Sequence, residues 1–263
     1  MKKIVAIAVL LFTVTGIFAQ RNSTISVDRY YTIKQGNVLF HATRLMYGYN
    51  DGITYPQSET DNIYFYNSGD TPLECSFDDL PTFLFVKIEP NPVPPKSEAK
   101  IAVRYDSKTK NTFGPTFDYF YMTTNDTKRP RKRLIVSPKI TEDFSDLTEA
   151  QIAIAPVISF DETKFDFGKI EMGEKINHTF KFTNKGKNDL IIRATKASCG
   201  CTSPTPKTKI IKSGEQGEIE VLFNSFGKHG EQNHRITIIT NDYRNPETIL
   251  YITGFVKVEK SDK

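Results

Sequence analysis

Two cysteines stand one residue apart in KASCGCTSP, as Cys199-Gly-Cys201, and the chain holds one other cysteine, Cys75. In extended backbone, residues i and i+2 project to the same side, so the two thiols can approach each other. A disulfide between them closes a very small ring. Its Cα atoms stand near the roughly 7 Å limit unless the backbone bends, and Gly200 permits a bend. Such a bond is strained and easily reduced, as a redox centre requires. As thiolates the pair suits a soft metal such as Cu(I). As plain side chains they pack as small hydrophobes at a strand end. Neither a C-x-x-C helix start nor a histidine close in sequence is there to activate the thiols, so a structural role is the first expectation and a Cys199–Cys201 disulfide its form. Cys75, in LECSF, reads as a buried free thiol of a strand.

His229 and His234 flank Glu231 in GKHGEQNH. A metal would want a third ligand, none lies near in sequence, and the stretch reads as a polar hairpin loop. The run KRPRKR supplies Lys128, Arg129, Arg131, Lys132 and Arg133. It reads as an exposed loop tip, an interaction site for a protein or for acidic lipid or glycan. Tyrosines 30, 31, 47, 49, 55, 64 and 66 are dense enough to suggest glycan contact or a second packing surface. No Ser-His-Asp order, paired catalytic carboxylates or phosphate-cradling Gly-rich loop is recognisable, and Asp166-Phe167-Gly168 lacks every companion of the kinase triplet. No catalytic residue, cofactor or resident metal is expected, nor a nucleic-acid partner.

The elements that must carry these residues are written twice. FHATRLMYG at 40–48 parallels FDETKFDFG at 160–168, and NIYFYNSG at 62–69 parallels HTFKFTNKG at 178–186. KSEAKIAVRY parallels KSGEQGEIEVLF, and TTNDTKRP parallels ITNDYRNP, all in the same order. The offset drifts between 116 and 120 residues, in turn-rich stretches where insertions are tolerated. Four ordered matches point to a duplicated unit.

Each copy alternates apolar and polar residues over five to eight positions, as in TFKFTN, EIEVLF and HRITIIT, with turn clusters such as NKGKND between. Period two places Phe180 with Phe182, and Ile219 with Val221, on one face that a second sheet must cover. Six or seven short strands in about 105 residues is the rhythm of an Ig-like sandwich. The expected fold is all-β: two tandem Ig-like β-sandwich domains over 25–140 and 156–259, joined by an acidic semi-flexible linker at 141–155 in which SDLTEAQIA holds a helical turn.

The first 19 residues have a basic start at Lys2 and Lys3, an apolar run from Ile4 to Phe12, and Ala19 before the expected cut. That is the plan of a signal peptide, with Ile17 an untidy fit three residues before the cut and an uncleaved anchor the alternative. The chain is therefore expected to be exported, to the periplasm sooner than the surface, with no transmembrane segment once cleaved. Losing two lysines lowers the formal charge from +4 to +2, which gives no argument for a polyanionic partner. The absence of Trp beside 19 Phe and 12 Tyr suits strands better than a helical bundle.

The order FDFGKI, FKFTNKG, SCGCT, KSGEQGEIEVLF and ITND…LYITGFV resembles the bacterial family known as domain of unknown function 1573, Ig-like modules related in fold to Hydin and major sperm protein domains. The resemblance spans about 156–258, and SCGCT is its most specific part. The first copy has Thr82 and Leu84 near the cysteine positions. The resemblance implies an Ig-like fold and export, and no enzyme activity. The reading is a non-catalytic binding or scaffold protein of the cell envelope with a protein partner. The alternative is a thiol-redox or copper-handling protein using Cys199 and Cys201.

Overall fold

The structure, a computed structural model, describes residues 26–47 and 52–257. The signal peptide read at 1–19, and Tyr49, lie outside the described residues. The first half runs β1 (Ile33–Gln35), β2 (Val38–Phe40), β3 (Arg44–Leu45), β4 (Ile53–Tyr55), β5 (Ser58–Asn67), β6 (Cys75–Phe77), β7 (Leu84–Glu89), β8 (Ser97–Asp106), β9 (Gly114–Pro115), β10 (Asp118–Thr124), β11 (Arg131–Val136) and β12 (Lys139–Glu142). The second runs β13 (Ile158–Phe160), β14 (Lys164–Glu171), β15 (Lys175–Asn184), β16 (Leu190–Ala197), β17 (Thr202–Pro206), β18 (Ile210–Ile211), β19 (Gln216–Asn224), β20 (Gly230–Thr240) and β21 (Glu247–Lys257).

In the first half the sheet β1-β2-β5-β8-β7 lies over β3-β11-β10-β6, and a small sheet β4-β12-β9 flanks them. Alternation decides what lies between. Phe65, Ile101 and Val103 of one sheet share a buried cluster with Phe120, Met122 and Leu134 of the other. In the second half β13-β15-β19-β17 lies over β14-β21-β20-β16-β18. Phe180, Phe182, Ile219 and Val221 are buried against Ile236, Ile238, Leu250 and Ile252. Each half is an Ig-like β-sandwich with its own core.

Several pairings and side-chain hydrogen bonds recur at matching places in the two halves. Phe40 lies opposite Phe65, and Phe160 opposite Phe182. Arg44 enters a parallel pairing with β11, as Lys164 does with β21. The Asn67 amide donates to the carbonyls of Thr71, Val93 and Pro94, and its oxygen accepts from Gly69 N–H. Asn184 donates to Asn188 and Ile211 and accepts from Gly186 N–H. Both side chains are almost wholly buried, so each satisfies backbone groups of two loops that water cannot reach. Asp126 and Asp242 likewise each close a hairpin turn and reach the opposite sheet, at Asn37 N–H in the β1–β2 turn and at Ile158 N–H of β13.

The junction is more ordered than a plain linker. The first half extends through β12 to Glu142, two residues past the expected boundary. Helix α1 (Glu149–Ile154) follows, with the Thr148–Gln151 capping box satisfying its first turn. Arg193 of β16 makes a bidentate pair with Glu142, and its guanidinium lies 5.3 Å from the Phe113 ring. Lys139 meets Glu247 at 2.8 Å. Among the described residues, no helix is long and apolar enough to cross a membrane.

Candidate functional site

Cys199 and Cys201 sit in the turn where the chain leaves β16 of one sheet and enters β17 of the other, at an end of the second sandwich. Both sheets hold this turn. Ser198 N–H donates to Arg235 O on β20, and Asn224 N–H of β19 donates to Cys201 O. The two cysteines are joined as a disulfide, with Cα atoms 5.3 Å apart. Gly200 is exposed, and apart from its two chain neighbours no atom lies within 4 Å of where a Cβ would stand. Cys201 packs against the small cluster of Ile170, Phe223 and Val256.

His234 belongs to this site. It lies on strand β20, on the same face as the buried Ile236 and Ile238, and extends that inward stripe to the sandwich's open end. Its Nδ1 is 3.4 Å from Cys199 Sγ and 3.8 Å from Cys201 Sγ. The other ring nitrogen lies 3.0 Å from Gln232 Oε1. Gln232 donates through its own Nε2 to the carbonyls of His229 and Gly230, which orients its oxygen toward the ring. That oxygen can only accept, so His234 carries its proton on Nε2 and turns the Nδ1 lone pair to the sulfurs. Burial, with Lys228 adding to it, holds the imidazole pKa below the ordinary histidine value. Phe223 lies against the ring at 4.8 Å, and Phe167 stacks on Phe223 at 5.2 Å. Asp166-Phe167-Gly168 is thus a support of this corner: a bulge in β14, with Gly168 at φ +71, turns Phe167 onto it. Thr202 Oγ1 stands 3.5 and 3.9 Å from the two sulfurs.

The hairpin-loop expectation for His234 is therefore corrected, while His229 is exposed and lends only its backbone carbonyl. Its inward parity was readable in HRITIIT. What was not readable is that a turn 35 residues earlier faces it. The matching corner of the first half is built differently: Tyr105 donates to Asp118, which also pairs with Lys110.

The basic run divides in two. Lys128 and Arg129 are exposed at the turn, whereas Arg131 and Arg133 lie on strand β11 and face outward. Lys132 is a correction to the interaction loop. Alternation along β11 points it inward, its side chain is 0% exposed, and its ammonium bonds Thr124 Oγ1, Asp126 Oδ2 and the Arg129 carbonyl. The remaining arginines lie on aromatic rings: Arg131 is 3.7 Å from the Tyr121 centroid, Arg133 4.6 Å from Tyr119, and Arg44 of β3 5.4 Å from Phe117. These six form a row across adjacent strands, and Phe117 and Tyr119 are more than half exposed. Among the described residues none of the three arginines has a carboxylate within 4 Å. The tyrosines read as one sugar-stacking surface do not form it: Tyr31 and Tyr47 are buried, and the Tyr47 hydroxyl donates to Val103 O inside the core. Cys75 is a free thiol on β6, and burial pushes its pKa up to about 12.

No curated protein matches this chain. A crystal structure of a protein of unknown function from Porphyromonas gingivalis W83 is similar over 84% of this chain and 100% of its own, at 16% identity and a TM-score of 0.62. That likeness is one of fold. The ASH/PapD-like domain of human CEP192 matches 44% of this chain over 94% of its own, at 10% identity and a TM-score of 0.34. The periplasmic chaperone SfaE matches 84% of this chain over 100% of its own, at 14% identity and 0.30, and at those scores neither decides anything. Residues 158–256, from the first strand of the second sandwich to the last, match the family described as "Protein of unknown function (DUF1573)".

Proposed function

We propose that this is an exported, non-catalytic binding protein of the bacterial envelope, a duplicated Ig-like unit whose first copy docks an acidic protein partner. The observation that carries the reading is the row of Arg44, Arg131 and Arg133, each lying over an aromatic ring, with the rings under Arg44 and Arg133 exposed and Tyr121 under Arg131 half-buried. A guanidinium stacked on an aromatic face loses less freedom when it binds, and its N–H edges stay available for a carboxylate. The exposed Lys128 and Arg129 extend the same charge to the end of the sandwich. Rigid strands, held from behind by Phe120, Met122 and Leu134, keep the row in place.

A photo-crosslinking residue at Tyr119, activated in intact cells, tests this reading. The expected product is an adduct with one acid-rich envelope protein, diminished by high salt and lost in Arg131→Glu/Arg133→Glu. An adduct indifferent to charge reversal would refute the docking surface. A glycosidase-sensitive polysaccharide adduct would refute the protein partner.

A further inference from the structure

We propose that Cys199, Cys201 and His234 form a redox-gated site for a single Cu(I) ion, closed as the disulfide and opened by reduction. The ligand atoms lie within 4.8 Å of one another. A three-coordinate ion with metal–sulfur bonds of about 2.3 Å and a metal–nitrogen bond of about 2.0 Å has nitrogen–sulfur edges of about 3.7 Å. The present separations, 3.4 and 3.8 Å, straddle that edge. The histidine already stands where a ligand would, and reduction need only part the sulfurs from bonding distance to the third edge, about 4 Å. Exposed Gly200, with open space about it, gives the turn room for that movement.

The second observation is the orientation of His234. Backbone carbonyls fix Gln232, and Gln232 fixes the ring proton on Nε2. Nδ1 is left as a lone pair aimed at two sulfurs that, when oxidised, have no hydrogen to offer it. Such support from a neighbouring side chain is how metal-bound imidazoles are held. A structural disulfide would need the ring N–H satisfied, but not a lone pair aimed at its sulfurs. Two thiolates and one imidazole form a soft set, and among the described residues no fourth Cys, His, Asp or Glu joins the cluster to complete a closed zinc tetrahedron. Thr202 Oγ1 is placed to donate to a thiolate. The corresponding corner of the first half, with Tyr105 and Asp118, has no soft ligand.

The chemistry balances with a dithiol reductant. One donor thiolate attacks a cysteine sulfur, the second displaces it, and the donor leaves as its own disulfide. Two electrons and two protons pass to Cys199 and Cys201. Cu(I) then displaces both thiol protons to solvent without changing its oxidation state.

The test is an anaerobic Cu(I) competition against bicinchoninate, using the whole protein before and after reduction by a trialkylphosphine that is then removed. One Cu(I) per chain is expected for the reduced form and none for the disulfide form at the same chelator strength. His234→Ala should weaken binding at least 10-fold, and X-ray absorption should report two sulfurs and one nitrogen. Circular dichroism establishes that Cys199→Ser/Cys201→Ser, which should bind no copper, remains folded. The redox comparison on unaltered protein stands whether or not that variant folds. Equal copper uptake by both redox forms, unchanged affinity in His234→Ala, or a preference for Zn(II) with Cu(I) left to the chelator would each overturn the assignment.

Discussion

Replacing Lys132 by Met should destabilise the first sandwich far more than an exposed lysine would. The Lys132 ammonium and the Asp126 carboxylate lie 3.3 Å apart, and both side chains are 0% exposed. At an effective dielectric of about 20 their attraction is about 5 kcal/mol, and the desolvation of two ions offsets most of it. Lys132→Met keeps the stem's volume and removes the charge. Asp126 then remains buried with the N–H groups of Asn37 and Lys128 and no cation. Leaving a buried charge without its partner costs about 3–5 kcal/mol. Adding Asp126→Asn removes the stranded charge, so the double variant should recover about half of that loss. Urea unfolding followed by tyrosine fluorescence is selective for this half, because ten of the twelve tyrosines lie at or before residue 121. A pH series adds a signed check. Burial alone would raise the Asp126 pKa, but the N–H groups of Asn37 and Lys128 and the Lys132 ammonium hold it below the usual carboxylate value. Its contribution is therefore present above about pH 4 and is lost as pH falls through the depressed value. Without Lys132 that acid-side loss should shrink. A cost under about 1 kcal/mol, or one abolished by 1 M salt, would show a solvated pair and refute the reasoning.

Asn67→Ala and Asn184→Ala should each cost about 2–3 kcal/mol in their own half, since each strands several buried backbone groups; urea curves with tyrosine fluorescence and circular dichroism separate the two. Cys199→Ser/Cys201→Ser should cost only about 1.6 kcal/mol, because a disulfide across three residues closes almost no loop; a loss twice as large would mean the bridge braces both sheets. Cys75, with its pKa pushed up to about 12, should react with iodoacetamide at pH 8 about 100-fold more slowly than a free thiol until urea is added, as timed mass spectrometry would show. Gly186→Ala should destabilise the second sandwich by about 2 kcal/mol or more, read as a lowered urea midpoint, because its Cβ would lie 2.2 Å from Ala155 O and 2.5 Å from Pro156 Cα.

The sandwich cores were legible because period two is a local rule. Phe180 and Phe182, or Ile219 and Val221, had to share a face, and they do lie buried together. The same rule, applied to residues 130–136, would have separated Lys132 from its neighbours. Leu134 and Val136 point inward, and so therefore does Lys132. Charge density suggested a loop there because composition says nothing of the carboxylate that receives the cation. The TND and NKG segments looked like ordinary turns. Their side chains instead hold the turn to distant strands, since Asn184 reaches Ile211 and Asp242 reaches Ile158.

The cysteine corner was harder to read for a reason specific to sandwiches. Its ligand atoms come from a turn that crosses between sheets and from a strand 33 to 35 residues further on. No local periodicity links a crossover to the strand whose end it meets; pairing does, through Ala197 opposite Ile236 and Thr202 opposite Phe223. Once those pairs are known, the position two residues before Ile236 must face the turn, and that position is His234. The first half then supplies an internal comparison. Tyr105 and Asp118 occupy the corresponding corner of the first half, where a hydroxyl donates to a carboxylate that also holds Lys110. That set is hard, charged and satisfied by its own members. In the second half the sulfurs and the imidazole replace it with soft atoms and one lone pair that lacks a donor. The fold needs something to close this end of each sandwich, and either set does so. Closure explains why the corner is filled, and the proposed ligand role adds a reason for an imidazole held with its bare nitrogen toward two cysteines.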